Sequence, residues 1–351
     1  MIVVIPSNRS VDLTYLGPLI ESGARFVIVD DSEGTIRIDH PQFEVYNWND
    51  RRRMLGQLDI GYPKRNGACR DFGFYIAWTN SDPEEIIVAL DDDCEVYHPD
   101  FHTRVGDSLS SRERPVATCD GTHLNILNLY RDVPDQLFPR GFPYSARAGY
   151  NGVRIGNSEA RKVTFNLGLW KGVFDINAID KIAGPVYSHP DAELIDGSVV
   201  IETDKYISVC SMNMQFRREL IPAMYQLPMH VEVMPNWVVD RYGDIWGGFI
   251  LKTLMDLKGE AMAVGEPMIR HLKEGTYNRN IWQEHVCHLV NDEFLQLLSE
   301  IKQNLMSRDY LEMMKEVADG FRSRTEEASP ILKPYLRHYC DSMDAWTASL
   351  A

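Results

Sequence analysis

Asp91, Asp92 and Asp93 stand side by side at the end of an apolar run, Ile86 to Leu90. Adjacent carboxylates repel one another, and burying them unpaired costs several kcal/mol each. Two solutions suit the pattern. A hard divalent cation can share the carboxylate oxygens with substrate phosphates, or the triplet can stay a solvated acidic turn. His271, after a second apolar run from Ala261 to Ile269, is a residue type that could join such a cation, or an ordinary surface histidine. Arg70 stands where its charge could face the acidic strand end, or solvent. Arg140, Arg147 and Arg154 fall in the stretch Leu137 to Asn157, rich in glycine and proline. Guanidinium groups spaced in this way can grip a diphosphate through paired N–H donors, although a solvated loop has the same composition. Asp244 lies in the first turn of an amphipathic segment, where an acid also serves the helix dipole. No G-x-G-x-x-G follows the first strand and there is no P-loop, so any phosphate must be held by these other groups.

The elements that would carry these groups alternate strand and helix through the N-terminal third. Ile2 to Ile5, Phe26 to Val29 and Phe43 to Asn47 read as strands, with a helix over Val11 to Ile20 between the first two. Asn49 and Asp50 can cap the segment after the third strand. A helix over Ala68 to Thr79 feeds the acid-ended strand. This order predicts a parallel sheet with helices on both faces, and such sheets bind ligands beyond the carboxyl ends of their strands. Further strands are expected at Val116 to Cys119, Val163 to Leu169, Tyr206 to Phe216 and Ala261 to Ile269. Helices are expected at Arg218 to Leu227 and Asp240 to Leu257. From Ile281 the pattern is helical, with one apolar stripe through Leu289, Phe294, Leu297, Leu298 and Ile301 and a second through Tyr310, Met313, Met314 and Val317.

Composition narrows the class. At 351 residues, 44% apolar and 25% charged, the chain can bury a large core as one big domain or one with an appendage. A net charge of −15 without a basic block argues against a nucleic-acid partner. An acidic protein that binds an anionic nucleotide needs local cations, and a metal is one way to supply them. The six cysteines are scattered with no C-x-x-C pair, as expected of reduced thiols rather than a disulfide frame or zinc site. The apolar start is too short for a signal peptide and no run approaches a membrane span, so a soluble, cytoplasmic protein is expected.

Ten strings in order then resemble one family. They are VVIPSNRS near the start, YNWNDRRRMLG at 46–56, GACRDFG at 67–73, DDDC at 91–94 and PRGFPYSARAG at 139–149. GLW at 168–170, CSMNMQF at 210–216, PAMY at 222–225, RYGDIWGG at 241–248 and HLK at 271–273 complete the series. Over about residues 2–290 the chain is similar to the reversibly glycosylated polypeptides, also called UDP-arabinopyranose mutases. The resemblance implies an α/β fold of the GT-A glycosyltransferase type, with a mixed, mainly parallel nucleotide-binding sheet flanked by helices. It divides the chain into a catalytic domain over 1–280 and a C-terminal helical extension over 281–351, packed on that domain or on a partner subunit of a homo-oligomer.

The resemblance also assigns roles. Asp91, Asp93 and His271 would hold Mn2+ or Mg2+ bridging the diphosphate of a UDP-sugar. Pro6, Ser7, Arg9, Asp30, Asp31, Arg70, Asp91, Asp92 and Lys273 would bind the nucleotide, with base and ribose in the loops after the first two strands. Arg140, Arg147 and Asp244 would act on the sugar, and Arg140 matches the family position proposed to carry it covalently. A guanidinium stays protonated at neutral pH and is a poor nucleophile, so a fixed cation clamping the diphosphate is the expected role. Three departures fall where the sugar would sit. Gly243 replaces the first of two paired aspartates, KGVFDINAID at 171–180 stands where the family reads like NIPDYDAPTQ, and SARAG at 145–149 replaces SLREG. The expected activity is metal-dependent interconversion of the pyranose and furanose forms of a UDP-sugar. The alternatives are sugar transfer to a separate acceptor and a non-catalytic, glycosylated scaffold subunit.

Overall fold

Runs of β-branched and aliphatic residues become the inner strands of a single mixed sheet, because only a strand covered on both faces can hide such runs. The computed structural model describes residues 1–184, 187–272 and 276–351. In the first part, strands β1 (Ile2–Ser7), β2 (Arg25–Asp30), β3 (Phe43–Tyr46) and β4 (Ile86–Leu90) alternate with helices α1 (Gly17–Glu21), α2 (Trp48–Leu55) and α3 (Asp71–Thr79). They pair in parallel in the order β3–β2–β1–β4. Next come β5 (Cys94–Glu95), α4 (Phe101–Ser108), β6 (Glu113–Thr118), β7 (Arg154–Ala160), β8 (Val163–Val173), α5 (Ala178–Ala183), β9 (Ser188–His189), β10 (Ser198–Ile201) and β11 (Asn213–Arg217). The hairpin β12 (Val231–Met234) and β13 (Trp237–Val239) precedes α6 (Gly243–Lys258) and β14 (Ala261–His271), and three helices close the chain: α7 (Tyr277–Lys302), α8 (Tyr310–Arg324) and α9 (Leu332–Leu350).

Among the described residues the sheet has 12 strands and runs β3–β2–β1–β4–β11–β8–β14–β10–β6–β7, with β5 added to β14 and β9 to β8. This is the GT-A-like α/β organisation with helices on its faces. One reversal matters for function. β11 enters antiparallel between β4 and β8, pairing Asn213 with Leu90 and Phe216 with Phe165. Residues 210–212 therefore lie beside Asp91, at the edge where β1, β2, β4, β8 and β14 all end.

Several local expectations are corrected. The helix expected over Val11 to Ile20 is a single 3-10 turn, Leu13–Leu16, followed by the short α1. Asp12 captures the Thr14 amide at 3.0 Å, and Pro18 brings no amide hydrogen, so the longer helix cannot propagate. Asn47, rather than Asn49 or Asp50, caps α2, and Asp50 answers as its capping-box partner. The strand expected over Tyr206 to Phe216 begins only at Asn213. Ile207 to Met212 are buried but lie under α6, where the Ser211 carbonyl and amide bond to Arg70 and Asp244 rather than to a neighbouring strand. Arg218 to Leu227 is only a 3-10 segment, Arg218–Ala223, with Pro222 inside it. Leu289 is 60% exposed, off the buried stripe of α7.

The last three helices share the core of the sheet. Trp346 of α9 stacks on Tyr225 with centroids 5.3 Å apart, and its indole N–H donates to the Pro222 carbonyl at 2.9 Å. All six cysteines are free and buried. Among the described residues no helix is long and apolar enough to cross a membrane.

Candidate active site

An open cavity of about 520 Å³ lies at the carboxyl edge of the sheet, a size that suits a small-molecule ligand. Its first wall is built on β1, β4 and the turn before α3. Asn66 opens that turn by accepting from the Ala68 amide at 3.0 Å, and the turn delivers Arg70 into the edge, 1% exposed. Arg70 Nη1 donates to the Ser211 carbonyl at 3.0 Å and Nη2 pairs with Asp91 Oδ1. Arg9 pairs with Asp92 and, at 3.1 Å, with Asp93, while the Ser7 hydroxyl donates to Asp92. Asp92 is thus spent on β1, whereas Asp91 and Asp93 line the cavity. Burial, then the neighbouring Asp91, pushes the Asp93 carboxyl above its ordinary value. His271, at the end of β14, sets Nδ1 2.8 Å from the Val173 carbonyl and Nε2 3.9 Å from Asp93 Oδ1. Among the described residues no three His, Cys, Asp or Glu side chains form a metal cage by themselves.

The nucleotide loops are more closed than expected. Asp30 is buried and accepts from the amides of Ser32 at 2.8 Å and Ile36 at 3.1 Å, closing its own loop. Asp31 accepts from the Trp48 indole at 2.7 Å, and burial pushes its carboxyl up. Pro6, Ser7, Asp30 and Asp31 stay in the strand ends behind the cavity, whose lining includes Arg9, Arg65 and Asn66 instead. Lys273 lies outside the described residues.

The second wall centres on Arg140, whose three nitrogens all donate to neighbours. Nε bonds both Asp175 oxygens at 3.1 and 2.9 Å, Nη2 bonds Asp244 Oδ2 at 2.9 Å, and Nη1 reaches Asp244 Oδ1 at 3.3 Å and the Arg241 carbonyl. Burial alone would depress this guanidinium, but Asp175 and Asp244 outweigh burial and hold it well above the ordinary arginine value. Burial would likewise raise Asp175, yet Arg140, then Arg241 and Lys181, draw it down to about 2. Asp244 also accepts from the Ser211 amide at 3.2 Å, so it ties α6 to the segment before β11. Cys210 lines the same wall, and burial beside Asp175 and Asp244 pushes its thiol well up, away from a thiolate nucleophile.

The other two loop arginines go elsewhere. Arg147 forms two bonds to Asp180, at 3.0 and 2.7 Å, under the Tyr144 ring, and is absent from the cavity lining. Arg154 opens β7 and pairs at the surface with Asp120 at 2.5 Å. The three do not converge on one anion, because each has its own carboxylate. α6 begins at Gly243 rather than Asp240, so Asp240 and Arg241 form a turn before it, with Arg241 in the left-handed region at φ 63°.

Sequence reasoning missed Asp175, Arg241 and Glu284. Asp175 follows the apolar strand β8 much as Asp91 follows β4, but the strand was expected to stop at Leu169, too early to reveal the likeness. Glu284 was detectable as a lone acid on the buried face of α7, one turn before Cys287 and in line with Asn291 and Phe294.

The chain matches the family model for reversibly glycosylated polypeptide over residues 2–351. It is 26% identical to probable UDP-arabinopyranose mutase 4 of Arabidopsis thaliana over 351 residues, 98% of this chain and 88% of the relative. UDP-arabinopyranose mutase 1 of the same plant is 27% identical over 362 residues, 98% of this chain and 90% of the relative. UDP-arabinopyranose mutase 1 of Oryza sativa subsp. japonica is 25% identical, with 86% and 84% covered.

Proposed function

The chain belongs to the reversibly glycosylated polypeptide family, and from that premise we propose a metal-dependent mutase that interconverts pyranose and furanose forms of a UDP-sugar. The observation that carries this reading is the pairing of two unlike walls in one cavity. One wall holds Asp91, Asp93 and His271, and the other holds Arg140 between Asp175 and Asp244. Among the described residues, seven arginines and lysines against five aspartates line that cavity, in a chain of net charge −15. Such a local excess of cation favours an anionic nucleotide.

Asp91, Asp93 and His271 fit a divalent cation. With Nδ1 turned to the Val173 carbonyl, His271 keeps the Nε2 lone pair toward Asp93, and the crowding of Asp93 by burial and Asp91 is what a cation relieves. Among the described residues too few side chains converge to close a cage, which suits a site that also takes phosphate oxygens. A bound cation supplies charge neutralisation for the departing diphosphate.

The second wall supplies the sugar chemistry. The C1–O bond to the diphosphate breaks and its electron pair leaves with the diphosphate. A second hydroxyl of the sugar then bonds C1 and gives up its proton. The old C1–O bond of the ring breaks with its electron pair staying on the released oxygen, which takes a proton, and the diphosphate oxygen bonds C1 again. One proton must pass from the hydroxyl that closes the new ring to the oxygen released from the old one. Asp244 takes and returns that proton, positioned by Arg140 and Ser211. Asp175, held ionised, faces the positive charge that develops at C1. Arg140 acts as a fixed cation that sets both carboxylates. Its bonds to both carboxylates and its strengthened charge weigh against service as the covalent carrier.

Ring-isomer analysis of products from the purified protein, with several UDP-sugars and with or without chelator, tests the reading. A changed ring size that disappears with chelator is the expected result. Turnover only with an added acceptor would make the protein a transferase, and no turnover of any sugar would make it a scaffold.

A further inference from the structure

Glu284 lies on α7, in the helical region beyond the expected catalytic domain, yet it is 1% exposed against the second wall of the cavity. Its two oxygens serve two different chain segments. Oε1 accepts from Arg241 Nε at 2.9 Å and Oε2 accepts from the Ala178 amide at 2.8 Å. Each segment in turn holds Arg140. The Arg241 carbonyl accepts from Arg140 Nη1, and the turn that carries it leads directly into Asp244. Ala178 follows Asn177, whose Oδ1 accepts from the Gly141 amide at 3.0 Å, and Asp175 lies just before. Around this carboxylate α7 adds further grips on the same turn. Gln283 donates to Asp240 at 2.8 Å, and the Cys287 thiol donates to the Asp240 carbonyl at 3.3 Å.

A left-handed arginine has few reasons to hold its conformation without help. Arg241 is in that region at φ 63°, and Glu284 is the carboxylate paired with its side chain. We propose that Glu284 is a positioning residue of the mutase site: it sets the Arg241 carbonyl and the Ala178 amide so that Arg140 meets Asp175 and Asp244 together, which makes α7 part of the site. The proposal rests on the mutase reading above. Burial would raise the Glu284 carboxyl, and His288, Arg241 and Arg140 keep it low, consistent with a charged strut rather than a neutral spacer. The arrangement also gives the C-terminal helices a local role, since the cavity's second wall cannot be set without one of them.

Glu284→Gln isolates the contact. The amide keeps the volume and can still accept from Ala178 through its oxygen, but it turns an N–H donor toward Arg241 Nε. The experiment compares wild type, Glu284→Gln, Arg241→Ala and the double variant for kcat, KM and the calorimetric Kd of UDP. Wild-type ring isomerisation is measured first, so that its absence sinks the mutase reading and not this one. With wild type active, Glu284→Gln is expected to lower kcat at least 10-fold while the Kd of UDP stays within 2-fold. In the Arg241→Ala background the same change should cost less than 2-fold, because its route of action is already gone. Unchanged kcat in Glu284→Gln, losses that simply multiply in the double variant, or a fall in UDP affinity that tracks the fall in kcat would each overturn the proposal.

Discussion

Arg140 carries one positive charge between two carboxylates, and that imbalance governs what single residues can do in the second wall. Asp175→Asn leaves Asp244 to balance the guanidinium but takes from Nε its charged acceptor, putting an amide with one NH2 donor where two carboxylate oxygens stood. Asp175→Asn should therefore cost about 1–3 kcal/mol of stability, while turnover falls because the charge facing C1 is gone. Thermal denaturation and steady-state kinetics check both. The stability loss should also depend on pH. Asp175 titrates at about 2 in the folded chain against 3.8 for the free group. A depressed carboxyl contributes stability above its unfolded value and loses it as pH falls toward the folded one. The gap in melting temperature between wild type and Asp175→Asn should be full above about pH 4 and close as pH approaches 2. A gap that persists at pH 2 would assign the effect to packing. On the first wall, burial and Asp91 crowd Asp93 more than its pairing with Arg9 relieves it. Asp93→Ala should abolish metal-dependent UDP binding and leave the melting temperature unchanged or slightly higher. Calorimetry with and without Mn2+ would reveal it, and full metal-dependent binding by the variant would refute the cation site.

At the scale of elements, the start of α6 decides where Asp244 stands. A Cβ built on Gly243 would fall 2.6 Å from the Leu227 carbonyl oxygen, and the Leu227 amide bonds back to the Gly243 carbonyl at 3.2 Å. The helix can approach the 222–229 segment this closely only without a side chain at 243. The glycine that stands in place of the family's aspartate is therefore bound to local packing. Gly243→Ala should destabilise by about 1–3 kcal/mol, the usual result of forcing volume into a packed site, and should lower kcat by displacing Asp244. An intact melting temperature would show that the turn yields easily. This element also shows what a linear reading reaches. The apolar periodicity of α6 was legible, and so was Asp244, but its first turn was expected at Asp240. Periodicity does not register a left-handed residue such as Arg241 or the close approach at Gly243. Strand ends were legible where acids follow aliphatic runs, as at Asp91. The segment before β11 was not, because Ser208 to Met212 are buried under a helix rather than in a ladder, and burial of both kinds looks alike in sequence. Arg147 was drawn toward the site by composition together with the family resemblance, and Arg154 by composition alone. Their carboxylate partners, Asp180 and Asp120, lie in other elements that only the fold brings near.

Across the whole molecule, one apolar core runs from Ile2 in β1 to Leu350 in α9, and the cavity depends on both ends of the chain. The link passes through Trp346. Its ring stacks on Tyr225 and meets Tyr62 at 5.6 Å, its N–H holds Pro222, and Tyr225 donates to the Gly61 carbonyl at 2.8 Å. The same segment continues to Gln226, held by Asp71 at 3.1 Å, and to Met229, and both line the cavity. Deleting the indole opens a large void at a junction of sheet, segment and C-terminal helix. Trp346→Ala should cost about 3–5 kcal/mol, the range for emptying a buried aromatic site. Because the core is continuous, the loss should appear as one transition. Far-UV circular dichroism, fluorescence and UDP binding should all fail at the same, lowered urea midpoint. A first transition that removes helical signal while UDP remains bound would mean that the last three helices unfold as a separate unit, and would detach α9 from the support of the cavity.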